Sequence, residues 1–288
     1  MLHFSLFFQA IDSIEPLLRR MSHQLSPLPR ASLASLQRLQ DLEESLAREH
    51  TPPSCSMSTP LSHSSAQDTT DHLPRQQPQD DRVEKLALLK DQALECQRCP
   101  HLVKSRRNVV FGVGNPYASL MFVGEAPGEE EDLRGEPFVG KAGELLTKII
   151  HSMDYQREEI FIANILKCRP NMPAGVTGNR KPKPEEMTTC LPWLKKQIEL
   201  IKPRVLVAWG STAMEGLLGK SMLMRQARGR WFEFEGIPLM VTYHPAYLLR
   251  NQSLSEKRKV WEDMLQVLEK LERPISQKQR QFFLSATA

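Results

Sequence analysis

Short apolar segments alternate with amphipathic ones from residue 83 onward, and this alternation constrains the fold more than any other feature of the chain. The apolar segments predict strands at residues 120–124, 160–165, 205–209 and 239–243. The amphipathic segments predict helices at residues 141–152, 184–201, 212–218 and 255–271. Because strands that alternate with helices form a parallel sheet covered on both faces, we predict an α/β fold.

The segments that directly follow the predicted strands carry the unusual motifs of the chain. They read GEAPGEEED from Gly124, NILKC from Asn164, GSTA from Gly210 and HPAYLLR from His244. Ligands of parallel α/β sheets bind at the carboxyl ends of the strands. We therefore expect the functional site at this edge of the sheet.

The N-terminal part of the chain has a different composition. Residues 1–49 contain two stretches with apolar residues at helical spacing, which predict short amphipathic helices. Residues 50–82 are dominated by Ser, Thr, Pro, Gln, Asp and His and are predicted to be a disordered linker. The extension is equally compatible with solvent-facing helices and with a docking element for an unidentified protein. We expect one domain at residues 83–273 and a flexible tail at residues 274–288.

Charge and cysteine content narrow the class of protein. The formal net charge is +4, but the first 82 residues hold 7 basic and 10 acidic residues, so the basic excess lies in the domain. Such an excess is compatible with a polyanionic partner. The chain has no run of 18 apolar residues, no signal-peptide pattern, and only five cysteines. We expect a cytoplasmic monomer with reduced thiols and no membrane association.

Four of the five cysteines form a pattern typical of a metal site. Cys96 and Cys99 make a C-x2-C pair, and Cys168 and Cys190 lie apart from it. Structural zinc sites usually take ligands from two tight pairs, so this pattern suits an iron–sulfur cluster at least as well. Buried cysteines without a metal would give the same spacing. Spacing alone leaves these alternatives open.

Four residues near the predicted strand ends are candidates for chemistry. Glu125 follows the first strand and precedes an acidic run that could simply begin a helix. Phe138 lies among turn-forming residues, where an aromatic ring can plug the core or stack on a flat ligand. Asn164 ends a strand, and its amide could read a nucleobase edge or cap a turn. His244 follows the last strand, where a histidine is often structural.

Taken together, these motifs resemble the family 4 uracil-DNA glycosylases, the iron–sulfur branch of the uracil-DNA glycosylase superfamily. The resemblance covers residues 83–271 and rests on the C-x2-C pair followed by VVFGVGNPYASLMFVGEAPGEEED, GEPFVGKAGELL, NILKCRP, GNRKPKPEE and HPAYLLRN. It implies a three-layer α/β/α sandwich around a four-stranded parallel sheet. It also implies one 4Fe-4S cluster on Cys96, Cys99, Cys168 and Cys190.

The resemblance further implies an enzyme of base excision repair. Such an enzyme flips uracil out of single- or double-stranded DNA and hydrolyses its N-glycosidic bond, which leaves an abasic site. The implied uracil-binding residues are Glu125, Ala126, Pro127, Glu131, Phe138, Asn164 and His244. Among them, His244 would stabilise the departing uracil anion, and Glu125 or Glu131 would activate water or stabilise the sugar cation.

Contacts to DNA are expected from a set of basic residues and two apolar wedge residues near the pocket. The basic candidates are Lys167, Arg169, Arg180, Lys181, Lys183 and Arg250, and the wedge candidates are Leu248 and Leu249. The loop NMPAGVT at residues 171–177 is longer than the family pattern leads us to expect. Residues 169–189 contain no histidine, so we expect ordinary turnover rather than covalent trapping on DNA.

Two other functions are compatible with the same motifs. One is excision of a different damaged base, such as hypoxanthine or ethenocytosine, on the same scaffold. The other is an iron–sulfur DNA-binding or replication-accessory module without glycosylase activity.

Overall fold

The computed structural model describes residues 80–173 and 175–284. Its strands are β1 (Val113–Gly114), β2 (Leu120–Gly124), β3 (Phe161–Asn164), β4 (Val205–Trp209), β5 (Trp231–Phe234) and β6 (Ile237–Thr242). Its α-helices are α1 (Arg82–Leu94), α2 (Pro100–Val103), α3 (Glu129–Arg134), α4 (Lys141–Ser152), α5 (Pro184–Ile201), α6 (Ser211–Leu218), α7 (Met224–Ala227), α8 (Pro245–Arg250), α9 (Leu254–Lys270) and α10 (Gln277–Gln281). The predicted N-terminal helices and all but the end of the predicted linker lie outside the described residues.

The four predicted strands form the parallel centre of a six-stranded sheet. The strand order is β1-β3-β2-β4-β6-β5, and β3, β2, β4 and β6 run parallel to one another. The edge strands β1 and β5 pair antiparallel with β3 and β6 and were not predicted. In the parallel register Gly124 lies beside Asn164, and Trp209 lies beside Thr242. The carboxyl ends of the central strands therefore meet at one edge.

The residues of β2 alternate between two hydrophobic cores, one on each face of the sheet. Met121 and Val123 pack with α1, α5 and α6 in the first core. Leu120 and Phe122 pack with α4 and α9 in the second. Each strand of a three-layer fold buries both of its faces in this way. The predicted α/β/α sandwich is confirmed.

The flexible tail predicted for residues 274–288 is wrong for residues 274–284. Helix α10 begins at a Ser276 cap and packs against α9, where the Trp261 indole donates to the Gln279 carbonyl at 2.6 Å. Phe282 lies against the Trp261 ring with centroids 5.2 Å apart. Burial of these aromatic side chains stabilises the segment. Among the described helices, none has the length and apolar character needed to cross a lipid bilayer.

Candidate active site

The floor of the candidate site is a glycine that leaves room for two side chains. Gly124 ends β2, and a β-carbon at this position would lie 2.3 Å from Asn164 Oδ1 and 2.5 Å from Phe138 Cζ. Both contacts are far below van der Waals distance, so only glycine allows the amide and the aromatic ring to approach the strand end together. The sheet edge thus places an aromatic face beside a carboxamide.

Phe138 adopts a strained backbone conformation that its surroundings hold in place. Its φ is +54°, in the left-handed region that residues other than glycine rarely adopt. The Arg157 guanidinium donates to the Pro137 carbonyl at 2.5 Å on one side of this residue. Gly143 of α4 packs so closely against the Phe138 backbone that a β-carbon there would lie 1.8 Å from the Phe138 carbonyl oxygen. Strain that a structure holds this firmly is common at functional sites.

Glu131 fixes the loop that carries Phe138. Its Oε1 accepts hydrogen bonds from the backbone N–H groups of Val139 at 3.0 Å and Gly140 at 3.1 Å. Its Oε2 accepts from the Gly128 N–H at 3.0 Å. Both carboxylate oxygens therefore accept from backbone donors, and these bonds hold the loop that carries Phe138. The assignment of Glu131 to water activation or cation stabilisation stays a prediction.

Asn164 presents an unpaired amide to the site. The residue is only 2 % exposed, yet no described residue forms a hydrogen bond with its side chain, whereas its backbone carbonyl accepts from Lys167 Nζ at 3.0 Å. The protein does not fully enclose this amide. A buried amide is normally hydrogen-bonded. The Asn164 amide therefore lies at the carboxyl edge of the sheet with its donor and its acceptor free for a ligand.

His244 is held as a neutral ring with a known tautomer. The Ala246 N–H donates to His244 Nδ1 at 3.2 Å, so the proton of the neutral imidazole is on Nε2. Burial lowers the pKa of His244 to about 4, and the nearby positive charge of Arg250 acts in the same direction. The ring lies nearly parallel to Phe138, with an interplanar angle of 27° and centroids 5.6 Å apart. His244 therefore offers an N–H donor, without a positive charge, next to the aromatic face.

Glu125 lies at the same strand end as a partly buried carboxyl group. Burial raises its pKa above the ordinary value, although a hydrogen bond from Thr212 and the charge of Lys181 oppose the shift. Its backbone carbonyl accepts from the Leu166 N–H at 3.1 Å. Of its neighbours, Ala126 is partly exposed and Pro127 is buried. The assignment of Glu125 to water activation or cation stabilisation stays a prediction.

The four predicted metal-ligand cysteines gather on one face of the sheet. Cys168 and Cys190 are buried in the first core, and Cys96 and Cys99 pack against it. The pKa of Cys99 is raised by burial and by the neighbouring Cys168 and Cys96, and burial raises the pKa of Cys190 to about 12. No three His, Cys, Asp or Glu side chains in the described ranges converge closely enough to hold a single metal ion.

Two cationic residues adjoin these cysteines. The Arg106 guanidinium donates to Cys168 Sγ at 3.1 Å and to the Cys96 carbonyl at 2.8 Å. The Lys167 backbone N–H donates to Cys190 Sγ at 3.2 Å. Burial lowers the pKa of the Lys167 ammonium to about 7, and the Cys190 and Cys168 thiols oppose this shift. The surroundings of the cysteines therefore suit an anionic group.

Comparison with the sequences of known proteins shows which family the chain belongs to. The family model of the uracil DNA glycosylase superfamily matches residues 111–265. A type-4 uracil-DNA glycosylase of Thermotoga maritima is 42% identical over 186 residues, which are 64% of this chain and 93% of the relative. The chain belongs to the type-4 uracil-DNA glycosylases. Type-4 enzymes of Saccharolobus solfataricus (40% identical, 63% of this chain, 83% of the relative) and Archaeoglobus fulgidus (39%, 61%, 88%) are also similar.

The basic residues proposed to touch DNA in this type-4 glycosylase differ in their availability. Lys183 and Arg250 are exposed, and Lys181 is exposed but pairs with Glu215 at 2.6 Å. Arg169 is largely enclosed and donates to the Gly178 carbonyl at 2.9 Å. Arg180 binds both oxygens of the buried Glu186, at 2.9 and 2.6 Å, and so anchors the start of α5.

Two predicted DNA contacts are wrong. Lys167 is 1 % exposed, and its ammonium points inward to the Asn164 carbonyl and the Gln197 side chain. Leu248 is 4 % exposed and belongs to the second core, because it lies on the inner side of the short helix α8. Its neighbour Leu249 is 38 % exposed. Leu249 is therefore the wedge candidate that remains in this type-4 glycosylase.

Sequence reasoning missed several residues that shape the site. Arg157 and Thr212 support Phe138 and Glu125 from other elements, and Arg106 contacts two of the cysteine segments. Asp263 of α9 accepts a hydrogen bond from Thr242 at 2.6 Å at the end of β6. Only Thr212 gave a signal, since it lies in the GSTA segment after a strand.

Proposed function

We propose that this chain excises uracil from DNA by hydrolysing the N-glycosidic bond and leaving an abasic site, the first step of base excision repair. One observation carries the proposal: a free Asn164 amide, the Phe138 ring and the Nε2–H of His244 meet at one sheet edge. A flat base with polar edges complements these three groups. Relatives named type-4 uracil-DNA glycosylase support uracil as that base.

Asn164 would read the edge of uracil that distinguishes it from cytosine. The Asn164 Oδ1 would accept from uracil N3–H, and its Nδ2 would donate to uracil O4. Cytosine presents an acceptor at N3 and a donor at N4, so both contacts would be lost. A site built for two such hydrogen bonds rejects the wrong base because its own buried groups are left unpaired.

His244 would stabilise the leaving group. When the glycosidic bond breaks, negative charge develops on uracil and positive charge on the sugar. A base stacked on Phe138 would lie nearly in the plane of the His244 ring, because the two rings are close to parallel. The Nε2–H could then donate to uracil O2 in the plane of the carbonyl group, where hydrogen bonds to oxygen are favoured. A preorganised donor in a water-poor site is an effective source of catalysis.

Glu125 would act on the water molecule or on the sugar cation. Its carboxyl lies at the same strand end, and burial raises its pKa. A carboxylate with a raised pKa accepts a proton more readily from an attacking water. Alternatively, the negative charge of the ionised carboxylate would stabilise the positively charged sugar of the transition state.

We assign a 4Fe-4S cluster to the cysteine site, as the resemblance to the type-4 family implies. A cluster held by thiolates adds negative charge, and the Arg106 guanidinium, which donates to Cys168 Sγ at 3.1 Å, would compensate part of it. Cys96, Cys99, Cys168 and Cys190 would hold the cluster and so cross-link the chain before α2 to the segment after β3 and to α5. Hydrolysis consumes no electrons, so we assign the cluster a structural role.

DNA binding would combine phosphate contacts with a wedge. The exposed cations of the predicted set are Lys181, Lys183 and Arg250. Because their contacts with phosphates would release counterions from the DNA, binding should weaken as the salt concentration rises. Leu249 would fill the gap left by the flipped nucleotide. Because a flipped base costs least in unpaired DNA, we expect faster excision from single strands and from U·G than from U·A.

The proposal is tested with labelled oligonucleotides that carry one uracil in a single strand, opposite G or opposite A. Purified protein should release free uracil and leave alkali-labile strands, while thymine and cytosine controls stay intact. Parallel substrates with hypoxanthine or ethenocytosine test the other specificities. Release of one of these bases without release of uracil would overturn the assignment, as would DNA binding without any base release.

A further inference from the structure

Lys167 is a buried cation without a carboxylate partner. It is 1 % exposed, and its Nζ donates to the Asn164 carbonyl at 3.0 Å and to Gln197 Oε1 at 2.6 Å. Both acceptors are neutral, and no ion pair of Lys167 occurs within residues 80–173 and 175–284. A buried charge is unfavourable unless an opposite charge compensates it. Negative charge close by would therefore favour the protonated form of Lys167 at this position.

The cysteine site would supply negative charge beside this lysine when its thiols bind a metal cluster as thiolates. The Lys167 N–H donates to Cys190 Sγ at 3.2 Å, and Cys168 is the next residue in the chain. A four-iron cluster held by four thiolates would carry net negative charge. The Lys167 ammonium and the Arg106 guanidinium would compensate part of it.

The same ammonium supports the base-reading end of β3. Asn164 is the last residue of that strand, and its carbonyl is the atom that Lys167 holds. Gln197 joins this contact to the wall of the core, because its Nε2 donates to the Phe111 carbonyl at 2.9 Å. Lys167 thus links the segment that carries Cys168 to Asn164, the residue proposed to bind the base.

We propose that Lys167 is a positioning residue that couples the four-cysteine site to the base-binding pocket. The charge of the ligated thiolates keeps the buried ammonium in place, and the ammonium in turn fixes the strand end that carries the Asn164 amide. This inference rests on the cluster assignment and on the uracil-binding role of Asn164. It predicts that a change in cluster charge weakens base recognition before the domain unfolds.

The test compares Lys167→Met with Lys270→Met, which changes an exposed lysine at the end of α9. In the cluster-loaded full chain, Lys167→Met should shift the cluster reduction potential to more negative values, because the reduced cluster loses a compensating charge. It should also raise the inhibition constant of free uracil about tenfold, through misplacement of the Asn164 amide. Lys270→Met should change neither quantity. A Lys167→Met protein that melts earlier but keeps the wild-type potential and uracil affinity would overturn the inference.

A second variant decides the question if Lys167→Met does not fold. Gln197→Glu keeps the lysine and places a carboxylate against its ammonium, so it should also move the potential to more negative values. An unchanged potential in Gln197→Glu would overturn the coupling. The wild-type protein separates this outcome from failure of the proposed function: absence of a cluster absorption band or of uracil release in wild type contradicts the proposed function itself.

Discussion

Phe138 and His244 lie next to each other at the candidate pocket, with an interplanar angle of 27° and ring centroids 5.6 Å apart. The separation and angle describe an offset, nearly parallel pair. A base that stacks on Phe138 would therefore meet the edge of the imidazole, where the Nε2–H projects, instead of its face. This relationship lets one residue bind the base and the other polarise it.

Replacement of Asn164 should change which base is accepted. Asn164→Asp replaces the Nδ2 donor with an oxygen acceptor, so the contact to uracil O4 becomes repulsive. We expect uracil excision to fall by the equivalent of about 1–3 kcal/mol, and cytosine release to rise relative to wild type. Single-turnover rates on U·G and C·G duplexes measure both effects. An Asn164→Asp enzyme with the wild-type ratio of these rates would contradict the base-reading role.

Removal of the Glu131 carboxylate should weaken the stacking of a base on Phe138. Glu131→Ala frees the N–H groups of Val139 and Gly140, so the strained Phe138 loop can relax. We expect a loss of about 10–100-fold in the excision rate, from a displaced aromatic ring. Glu129→Gln is the matched control, since Glu129 is exposed on the same helix. A Glu131→Ala enzyme with the wild-type excision rate would contradict this positioning role.

The depressed pKa of His244 should appear in the pH dependence of stability. The pKa is about 4 in the native state and 6.5 in a free histidine, so the unfolded chain binds the proton first as pH falls. The unfolding free energy should therefore decrease between pH 6.5 and pH 4, by on the order of 2 kcal/mol from this residue. Subtracting the wild-type curve from that of His244→Gln should give a difference that rises toward pH 4. A flat difference would show that His244 is not held neutral.

Asp263 should show the opposite slope. Burial raises its pKa to about 6 from an ordinary value of 3.8, against hydrogen bonds from Thr242 and Arg228. The native state then binds the proton first, so this group stabilises the fold below pH 4 and loses that contribution as pH rises through 6. Relative to wild type, Asp263→Asn should be less stable at pH 4 than at pH 7. Urea denaturation across this range tests the sign, and a constant difference would contradict it.

The central fold and the pocket residues could be predicted because their signals are local. An apolar run followed by a glycine or a polar residue marks a strand end, and the parallel register brings Gly124 and Asn164 side by side. The edge strands could not be predicted in this way, since β1 has two residues and only one of the four residues of β5, Phe234, is buried. Helix α10 depends on contacts with Trp261, which sequence periodicity does not encode.

The sequence does not determine the direction in which individual side chains point. Lys167 in NILKC and Leu248 in HPAYLLR were expected to reach DNA, yet both point into the protein. A lysine or leucine at a strand end can face either way, and the choice depends on elements distant in sequence, such as Gln197 on α5. The same applies to Glu131, whose partners Val139 and Gly140 lie on the next loop.

The most direct test of the account is the single-turnover excision of uracil from a U·G duplex by wild type, His244→Ala and Asn164→Ala. Wild type should convert the uracil to an abasic site, and removal of the His244 donor should slow the reaction by about 10²–10³-fold while DNA binding persists. Asn164→Ala should lose most of the discrimination between uracil and cytosine. No uracil release by the wild-type protein, or equal rates in wild type and both variants, would contradict the central claim.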